Sequence, residues 1–170
     1  MRAYAPIAKL SDANSGMRPV SKKMPKPAAS EAAFDQTACN CLAIRQAARH
    51  ITRAYERHLA PEGLRASQYS ILSKLNRLGP LSIGELANTM VMDRTTLGRA
   101  IRPLERDELL IVDDGRDGRT RSIRLTSAGV AKVKSAAIRW RKAQKEFELA
   151  FGTDKAADLR STLLRVISAA

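Results

Sequence analysis

The most constraining feature of this chain is a change in the spacing of its apolar residues between Ser82 and Thr126. Apolar residues first recur every three or four positions, as on one face of a helix, and then alternate, as in a strand. Ser82, with Glu85 three residues later, is a capping box for a short helix. Asp93 is a good N-cap for a second helix, which extends to about Arg106. The residues that these two helices turn inward are Ile83, Leu86, Ala87 and Met90, then Leu97, Ile101 and Leu104.

The alternating part of the segment predicts a basic β-hairpin. Leu109–Val112 and Ser122–Leu125 are short β segments, and residues 113–121 between them form a glycine-rich turn. That turn carries three arginines, which are Arg116, Arg119 and Arg121. Two short helices followed by such a hairpin have the order of a winged helix-turn-helix.

Longer helical patterns flank this segment. A helix is predicted from Ala33 to Leu59, where Pro61 and Gly63 end it, and another from Ser67 to Leu78. The first has an apolar face formed by Cys41, Ile44, Ala48, Ile51 and Tyr55. The second buries Tyr69, Ile71, Leu72 and Leu75.

Two more helices are predicted after the hairpin. Thr126 caps a long helix with a coiled-coil-like seam, Gly152 breaks it, and Thr153 caps the last helix. The seam contains Val130, Val133, Ala137, Trp140, Gln144 and Phe147, and the last helix turns inward Leu159, Leu163, Val166 and Ile167.

The predicted fold class is therefore mainly α with a small β-hairpin wing. Residues 64–125 form a winged helix-turn-helix lobe that binds DNA. Residues 33–60 and 126–170 form a helical dimerisation region, because a second copy would bury the apolar faces that the compact middle leaves uncovered. Residues 1–32 lack periodicity and are predicted to be a disordered basic tail. The tail either adds weak contacts to phosphate or has no role in binding.

Charge and composition narrow the class of partner. The chain has 30 Lys and Arg against 17 Asp and Glu, a net charge of +13, which favours a polyanion such as nucleic acid over a membrane surface. Apolar runs are too short to span a bilayer, the N-terminus does not resemble a secretory signal, and the scarcity of Cys fits the cytoplasm. No catalytic triad order, phosphate-binding glycine loop or apolar carboxylate pair indicates an enzyme.

The second helix of the pair is the predicted reading element, because in helix-turn-helix proteins its N-terminal residues contact base edges in the major groove. Arginine binds guanine or phosphate, and threonine contacts either a base or a thymine methyl. The outward-facing candidates are Arg94, Thr95, Thr96, Arg99 and Arg102. In the hairpin, Arg119 or Arg121 fits a narrow A·T-rich minor groove, with Arg116 beside them; a solvated arginine-rich loop is the alternative.

The sequence resembles the multiple-antibiotic-resistance regulator (MarR) family over roughly residues 36–168. The matching stretches are Leu81–Ala87, Met92–Leu97, Leu104–Glu105, Asp117–Arg119, Leu125–Thr126 and Gly129. The resemblance implies an obligate dimer on a pseudo-palindromic operator, usually a repressor. It also implies that Asp117 braces the wing and that Arg119 enters the minor groove.

Two residues depart from the pattern of this family. Glu108 stands where the family usually has the glycine that ends the reading helix, so it either strains its backbone or extends the helix. Pro103 lies inside that helix and removes the hydrogen bond to the Arg99 carbonyl, which predicts a kink.

The family resemblance implies release from DNA by a small aromatic or phenolic ligand, or by cysteine oxidation. A pocket for such an acid would use arginines for the carboxylate and aromatic rings for stacking. The candidates are Arg45, Arg49, Tyr69 and Trp140, whose alternative roles are surface charge and core packing.

Cys41 is the candidate for oxidation. Its spacing to Tyr55 resembles the organic-hydroperoxide-sensing branch of the family, in which a tyrosine hydroxyl hydrogen-bonds the reactive thiolate. Alternatively, Cys41 is a small core residue on the buried stripe of its helix. Cys39 points about 200° away on that helix, which makes the pair a poor dithiol. His50 and His58 lack thiolate ligands nearby in sequence, so neither a metal nor a cofactor is predicted.

The function predicted from the sequence is a sequence-specific, dimeric DNA-binding regulator, a repressor released by a small aromatic or phenolic acid. The first alternative is a repressor that senses organic peroxide through Cys41. The second is a non-specific architectural DNA-binding protein, motivated by the net charge.

Overall fold

A computed structural model describes residues 39–114 and 121–169, in which short strands are inserted into a mainly helical chain. This confirms the predicted fold class. In chain order the elements are α1 (Asn40–Leu59), a 3-10 turn (Ala60–Glu62), α2 (Ala66–Leu78), β1 (Leu81–Ser82), α3 (Ile83–Met90), α4 (Arg94–Arg106), β2 (Leu110–Asp114), β3 (Arg121–Leu125), α5 (Ser127–Phe151) and α6 (Thr153–Ser168). The predicted tail and the hairpin residues Arg116, Asp117 and Arg119 lie outside the described residues.

The chain divides into two compact units. Among the described residues, one unit lies between Ala47 and Glu146, and the other combines residues 39–46 with residues 147–169. The proposed division into a DNA-binding lobe and a dimerisation region stays a prediction, because α1 and α5 each contribute residues to both units.

The larger unit has one apolar core, which gathers the inward faces predicted for α2, α3 and α4. These helices pack with the sheet, the end of α1 and the first half of α5. The side chains that are fully buried there are Leu59, Ile71, Leu72, Leu86, Leu97, Leu104, Leu110 and Ile123. Burial of a leucine or isoleucine side chain contributes about 1.5–3 kcal/mol, so this core fixes how the two short helices sit against the sheet.

The wing is a three-stranded antiparallel sheet in the order β1-β3-β2, where the sequence predicts a two-stranded hairpin. In the added pairing, Leu81 lies opposite Ile123 and Ser82 lies opposite Ser122. Because β1 is only two residues long, it is too short to show an alternating pattern. Its pairing attaches the start of α3 directly to the wing.

Three of the four predicted helix caps are confirmed. The Ser82 hydroxyl accepts the Glu85 N–H at 3.2 Å, while Glu85 Oε2 accepts the Ser82 N–H at 2.7 Å. The carboxylate of Asp93 accepts the Thr96 N–H, and the hydroxyl of Thr126 accepts an N–H at the start of α5. The fourth is wrong: Gly152 is the N-cap of α6 and Thr153 is its first residue, without a side-chain cap.

The turn between α4 and β2 contains the residue that departs from the family pattern. Glu108 has φ +55°, so its backbone takes the left-handed conformation instead of extending the helix. For a residue with a Cβ this conformation carries strain. The carbonyl of Glu108 accepts the Thr126 hydroxyl at 2.7 Å, and the Leu109 carbonyl accepts the Thr126 N–H at 3.2 Å. Helix α4 continues through Pro103 to Arg106.

Glu62 connects the 3-10 turn to α5. Its carboxylate accepts the Ser135 hydroxyl at 2.7 Å and lies 3.8 Å from both Lys132 Nζ and Arg139 Nε. The side chain of Glu62 is only 16% exposed. One carboxylate therefore links the loop before α2 to α5 through one hydrogen bond and two ion pairs.

The smaller unit exposes many large apolar side chains. They are Leu42, Ile44, Leu149, Phe151, Leu163, Leu164, Val166 and Ile167. Of the four residues predicted to face inward on the last helix, Leu159 is half-buried, whereas Leu163, Val166 and Ile167 are exposed in a single copy of the chain. Within the described part of the chain, no helix is long and apolar enough to cross a membrane.

Candidate nucleic-acid interface

Helix α4 is built to present one polar face. Its inner residues Leu97, Ile101 and Leu104 are buried, whereas Arg94, Thr95, Thr96, Arg99 and Arg102 are exposed, as predicted. The apolar side chains lock the rotation of the helix about its own axis, because turning it would expose them. The arginines are consequently displayed in a fixed order along the outer face.

The start of α4 uses two of the predicted reading residues for other contacts. The hydroxyl of Thr96 donates to Asp93 Oδ2 at 2.6 Å, and its N–H donates to Asp93 Oδ1 at 2.7 Å. These bonds hold the pKa of Asp93 below its usual value. Arg94 Nη2 lies 3.3 Å from the position that a Cβ on Gly84 would occupy, so this guanidinium rests on the first turn of α3. The exposed candidates outside these contacts are Thr95, Arg99 and Arg102.

Grooves run along both sides of α4. On the wing side, a groove of about 590 Å³ is lined by Arg102 and Glu105 together with Asp113 and Arg121 of the wing. The other, of about 580 Å³, lies between α4 and the start of α2. Its cations are Arg65, Arg99 and Arg106. Arg99 thus lines the groove on one side of α4, and Arg102 lines the groove on the other side.

The described part of the wing is held by an ion pair. Arg124 Nε lies 2.6 Å from Asp113 Oδ2, joining β3 to β2. Arg121, at the start of β3, is exposed. The bracing role expected for Asp117 and the minor-groove roles of Arg116 and Arg119 stay predictions, because these residues lie outside the described range.

The turn between α3 and α4 contains an unusual residue that the sequence does not reveal. Val91 has φ +52°, is 67% exposed, and forms the C-cap of α3. A β-branched side chain strongly disfavours this left-handed conformation, which glycine usually takes. The neighbouring Met92 N–H bonds to the Ala87 carbonyl at 2.9 Å, which closes the turn tightly between the two helices.

The candidate effector pocket is only partly brought together as predicted. Tyr69 and Trp140 stack at 6.3 Å between ring centroids, and they line a groove of about 300 Å³ with Lys74 and Arg77. Burial raises the pKa of Tyr69, against smaller opposing effects of a Ser73 hydrogen bond and the charge of Arg141. Arg45 and Arg49 are exposed on α1 and do not line this groove.

The prediction that Cys41 lies on a buried stripe is wrong for this chain, since its side chain is exposed in the first turn of α1. The adjacent Cys39 is half-buried, and its Sγ accepts the Leu42 N–H at 3.4 Å. The Tyr55 hydroxyl donates to Gln144 Oε1 at 2.6 Å. The described residues contain no cluster of His, Cys, Asp and Glu suited to a metal ion.

A helix pair that displays arginines on its second member, attached to an antiparallel wing, defines a winged helix-turn-helix DNA-binding protein. The family profile of the MarR family matches residues 64–119, which span α2 to the wing. The fold is shared with the M. tuberculosis transcriptional regulator MosR in complex with DNA, at a TM-score of 0.70 and 34% identity. That alignment covers 77% of this chain and 95% of MosR. The chain belongs to the MarR family and is a transcriptional regulator of this type, not an enzyme.

Two curated relatives are also transcriptional regulators. The chain is 29% identical over 123 residues to the uncharacterized HTH-type transcriptional regulator YwoH of Bacillus subtilis, covering 72% of this chain and 89% of YwoH. It is 32% identical over 88 residues to the transcriptional activatory protein BadR of Rhodopseudomonas palustris, covering 49% of this chain and 50% of BadR.

Proposed function

We propose that this regulator is a dimeric repressor that reads a pseudo-palindromic operator with α4 in the major groove. The observation that carries the proposal is the outer face of α4, on which Thr95, Arg99 and Arg102 are exposed while the opposite face is locked in the core. The DNA complex of the relative MosR supports the same use of this fold. Arg119 or Arg121 of the hairpin is proposed to enter the minor groove, with Arg116 beside them.

Selection of preferred duplexes followed by footprinting tests sequence reading. We expect two protected half-sites about one helical turn apart. Loss of a base contact should weaken operator binding by about 1–3 kcal/mol and relax specificity, so Arg99→Ala and Arg102→Ala should do both. Arg53→Ala, which removes an exposed arginine on α1, is the matched control. Equal affinity for random duplexes would contradict the proposal and favour the architectural alternative.

The proposed dimer rests on the apolar residues that the smaller unit exposes. Leu164 is 64% exposed, and Leu163 and Ile167 lie on the same helix. Apolar area of this kind is typically buried against a second copy in symmetric oligomers. Sedimentation should give a dimer for the wild type and a monomer for Leu163→Glu with Ile167→Glu. A wild-type monomer at micromolar concentration would contradict the dimer.

The proposed effector is a small aromatic acid bound at the groove of Tyr69 and Trp140. The rings offer a stacking surface, and Lys74 and Arg77 line the groove as cations for a carboxylate, in place of the predicted Arg45 and Arg49. Salicylate and benzoate are suitable probes, with benzyl alcohol as the uncharged control. The acids should release DNA from the wild type and not from Arg77→Ala. Equal release from both proteins would rule out this groove.

Peroxide sensing through Cys41 is the second candidate. The exposure of this thiol in a single chain favours it, because oxidation requires access. Its predicted partner Tyr55 instead donates its hydroxyl to Gln144. Cumene hydroperoxide should release operator DNA from the wild type but not from Cys41→Ser. Identical release from both proteins would end this interpretation.

A further inference from the structure

The distribution of charge raises a question about how this protein attracts DNA. The helix pair and its turns, residues 81–108, contain four arginines against five acidic residues. Residues 64–80, which include α2, contain Arg65, Lys74 and Arg77 and no acidic residue. Since phosphate neutralisation supplies most non-specific affinity for DNA, the reading helices need cations from outside themselves.

One of these cations is brought to the reading helix by the fold. Arg65 immediately precedes α2, is exposed, and lines the groove of about 580 Å³ with Arg99 and Arg106 of α4. The acidic residue in that lining is Asp107, whose carboxylate lies 3.5 Å from Arg106 Nε. Both members of that pair are more than half exposed, so it holds Arg106 only weakly. The lining of this groove thus contains three guanidinium groups and one carboxylate, so its net charge is positive.

The position of this groove matches the dimensions of DNA. A helix with its side chains is about 10–12 Å across, and the major groove is about 12 Å wide, so a helix in the groove meets a phosphate backbone on each side. The wing occupies one side of α4 and the Arg65 groove lies on the other. The backbone on the side away from the wing would therefore pass along Arg65 and Arg106.

We propose that Arg65 and Arg106 form a phosphate-binding groove that holds the DNA strand flanking α4 on the side away from the wing. This site rests on the proposed function, because it requires α4 to lie in the major groove. Its ligand is the phosphodiester backbone of any sequence. Arg65 positions the reading head, whereas Arg99 and Arg102 carry sequence discrimination.

The test is the salt dependence of binding to a random duplex of about 30 base pairs, long enough for two half-sites. Loss of one phosphate contact reduces the magnitude of the slope of log K against log salt by about 0.9 per reading head. A dimer with both heads on this duplex therefore loses about 1.8 from the slope, equivalent to roughly sixtyfold in affinity at 0.1 M relative to 1 M salt. We expect this change for Arg65→Ala, with an unaltered ratio of operator to random binding. Arg65→Lys should keep the slope.

Arg53→Ala is the control, since it removes the same charge from an exposed site on α1. Because residues 33–60 belong to the predicted dimerisation region, sedimentation should first show that this variant has the same oligomeric state as the wild type. Folding should survive in Arg65→Ala, because Gln68 Oε1 bonds the backbone N–H of residue 65 at 2.8 Å and not its side chain. A slope for Arg65→Ala equal to that of Arg53→Ala would overturn the phosphate groove. Absence of any preferred sequence for the wild type would instead overturn the proposed function, while the random duplex still tests Arg65.

Discussion

Substitution of Gly129 by alanine gives the sharpest test of how the wing is attached to α5. A Cβ at this position would stand 1.9 Å from the Leu109 carbonyl oxygen and 2.9 Å from its carbon. An ordinary contact between carbon and a carbonyl oxygen is about 3.3 Å, so one of the two backbones must move by about 1.4 Å. Neither contact atom belongs to a flexible side chain that could rotate away.

The displacement has a predictable energetic effect. Overpacking in a well-packed region typically destabilises by about 1–3 kcal/mol. The Leu109 carbonyl also accepts the Thr126 N–H at 3.2 Å, and loss of that bond adds about 1 kcal/mol. The clash and the lost bond together should cost about 2–4 kcal/mol. Alanine normally brings a gain of about 0.5–1 kcal/mol inside a helix, so we expect Gly129→Ala to lower the free energy of unfolding by about 1–3.5 kcal/mol net.

Urea unfolding at one fixed protein concentration measures this difference, because association makes stability depend on concentration. Gly98→Ala is the matched control: Gly98 lies inside α4 and a Cβ there meets nothing within 4 Å. It should stabilise the protein by about 0.5–1 kcal/mol. If Gly129→Ala unfolds at the same urea concentration as Gly98→Ala, the packing argument is refuted.

Three further changes test other contacts. Asp93→Ala removes the cap of α4 and should lower the melting temperature at neutral pH. Since hydrogen bonds from Thr96 hold the pKa of Asp93 below 3.8, this stabilisation is present above that value and is lost as the pH falls through the lower folded-state pKa. Calorimetry from pH 7 downward should show the two proteins converging in acid, and a constant difference would contradict it. Glu62→Ala removes the carboxylate that Ser135, Lys132 and Arg139 contact. The free energy of unfolding measured in urea should fall by about 1–3 kcal/mol. An unchanged urea midpoint would show that this carboxylate does not stabilise the contact between the loop and α5. Asp113→Asn breaks an ion pair whose partners are 42% and 48% exposed, so the expected loss is under about 1 kcal/mol, and a loss above about 2 kcal/mol would argue against this weak-pair estimate.

Most of the reading helix was predictable because its determinants are local. Asp93 caps the helix through an amide three residues away, and the spacing of Leu97, Ile101 and Leu104 decides which face is buried. Once that face is known, the exposure of Arg99 and Arg102 follows from helix geometry. The hydrogen bonds between Asp93 and Thr96 could also have been predicted, since an N-cap residue and the residue three positions later are neighbours in space.

The groove proposed for the effector and the groove proposed for phosphate were not predictable in the same way. The sequence predicts that Tyr69 and Trp140 share a pocket with Arg45 and Arg49. In the structure the two aromatic residues line one groove, and the cations beside them are Lys74 and Arg77. All four are cations on amphipathic helices, and nothing local distinguishes them. Likewise, the sequence gives no sign that Arg65 differs from other surface residues. Its position beside α4 follows only from the packing of the start of α2 against that helix.

The change of period and the caps at Ser82, Asp93 and Thr126, and hence the order of helices and wing, are encoded locally, because they depend on neighbours within one helical turn. Packing sets the places where backbones meet: the short β1, the left-handed Val91, and Gly129 against Leu109. Contacts between segments far apart in sequence depend on how the whole core packs, and no local pattern encodes that.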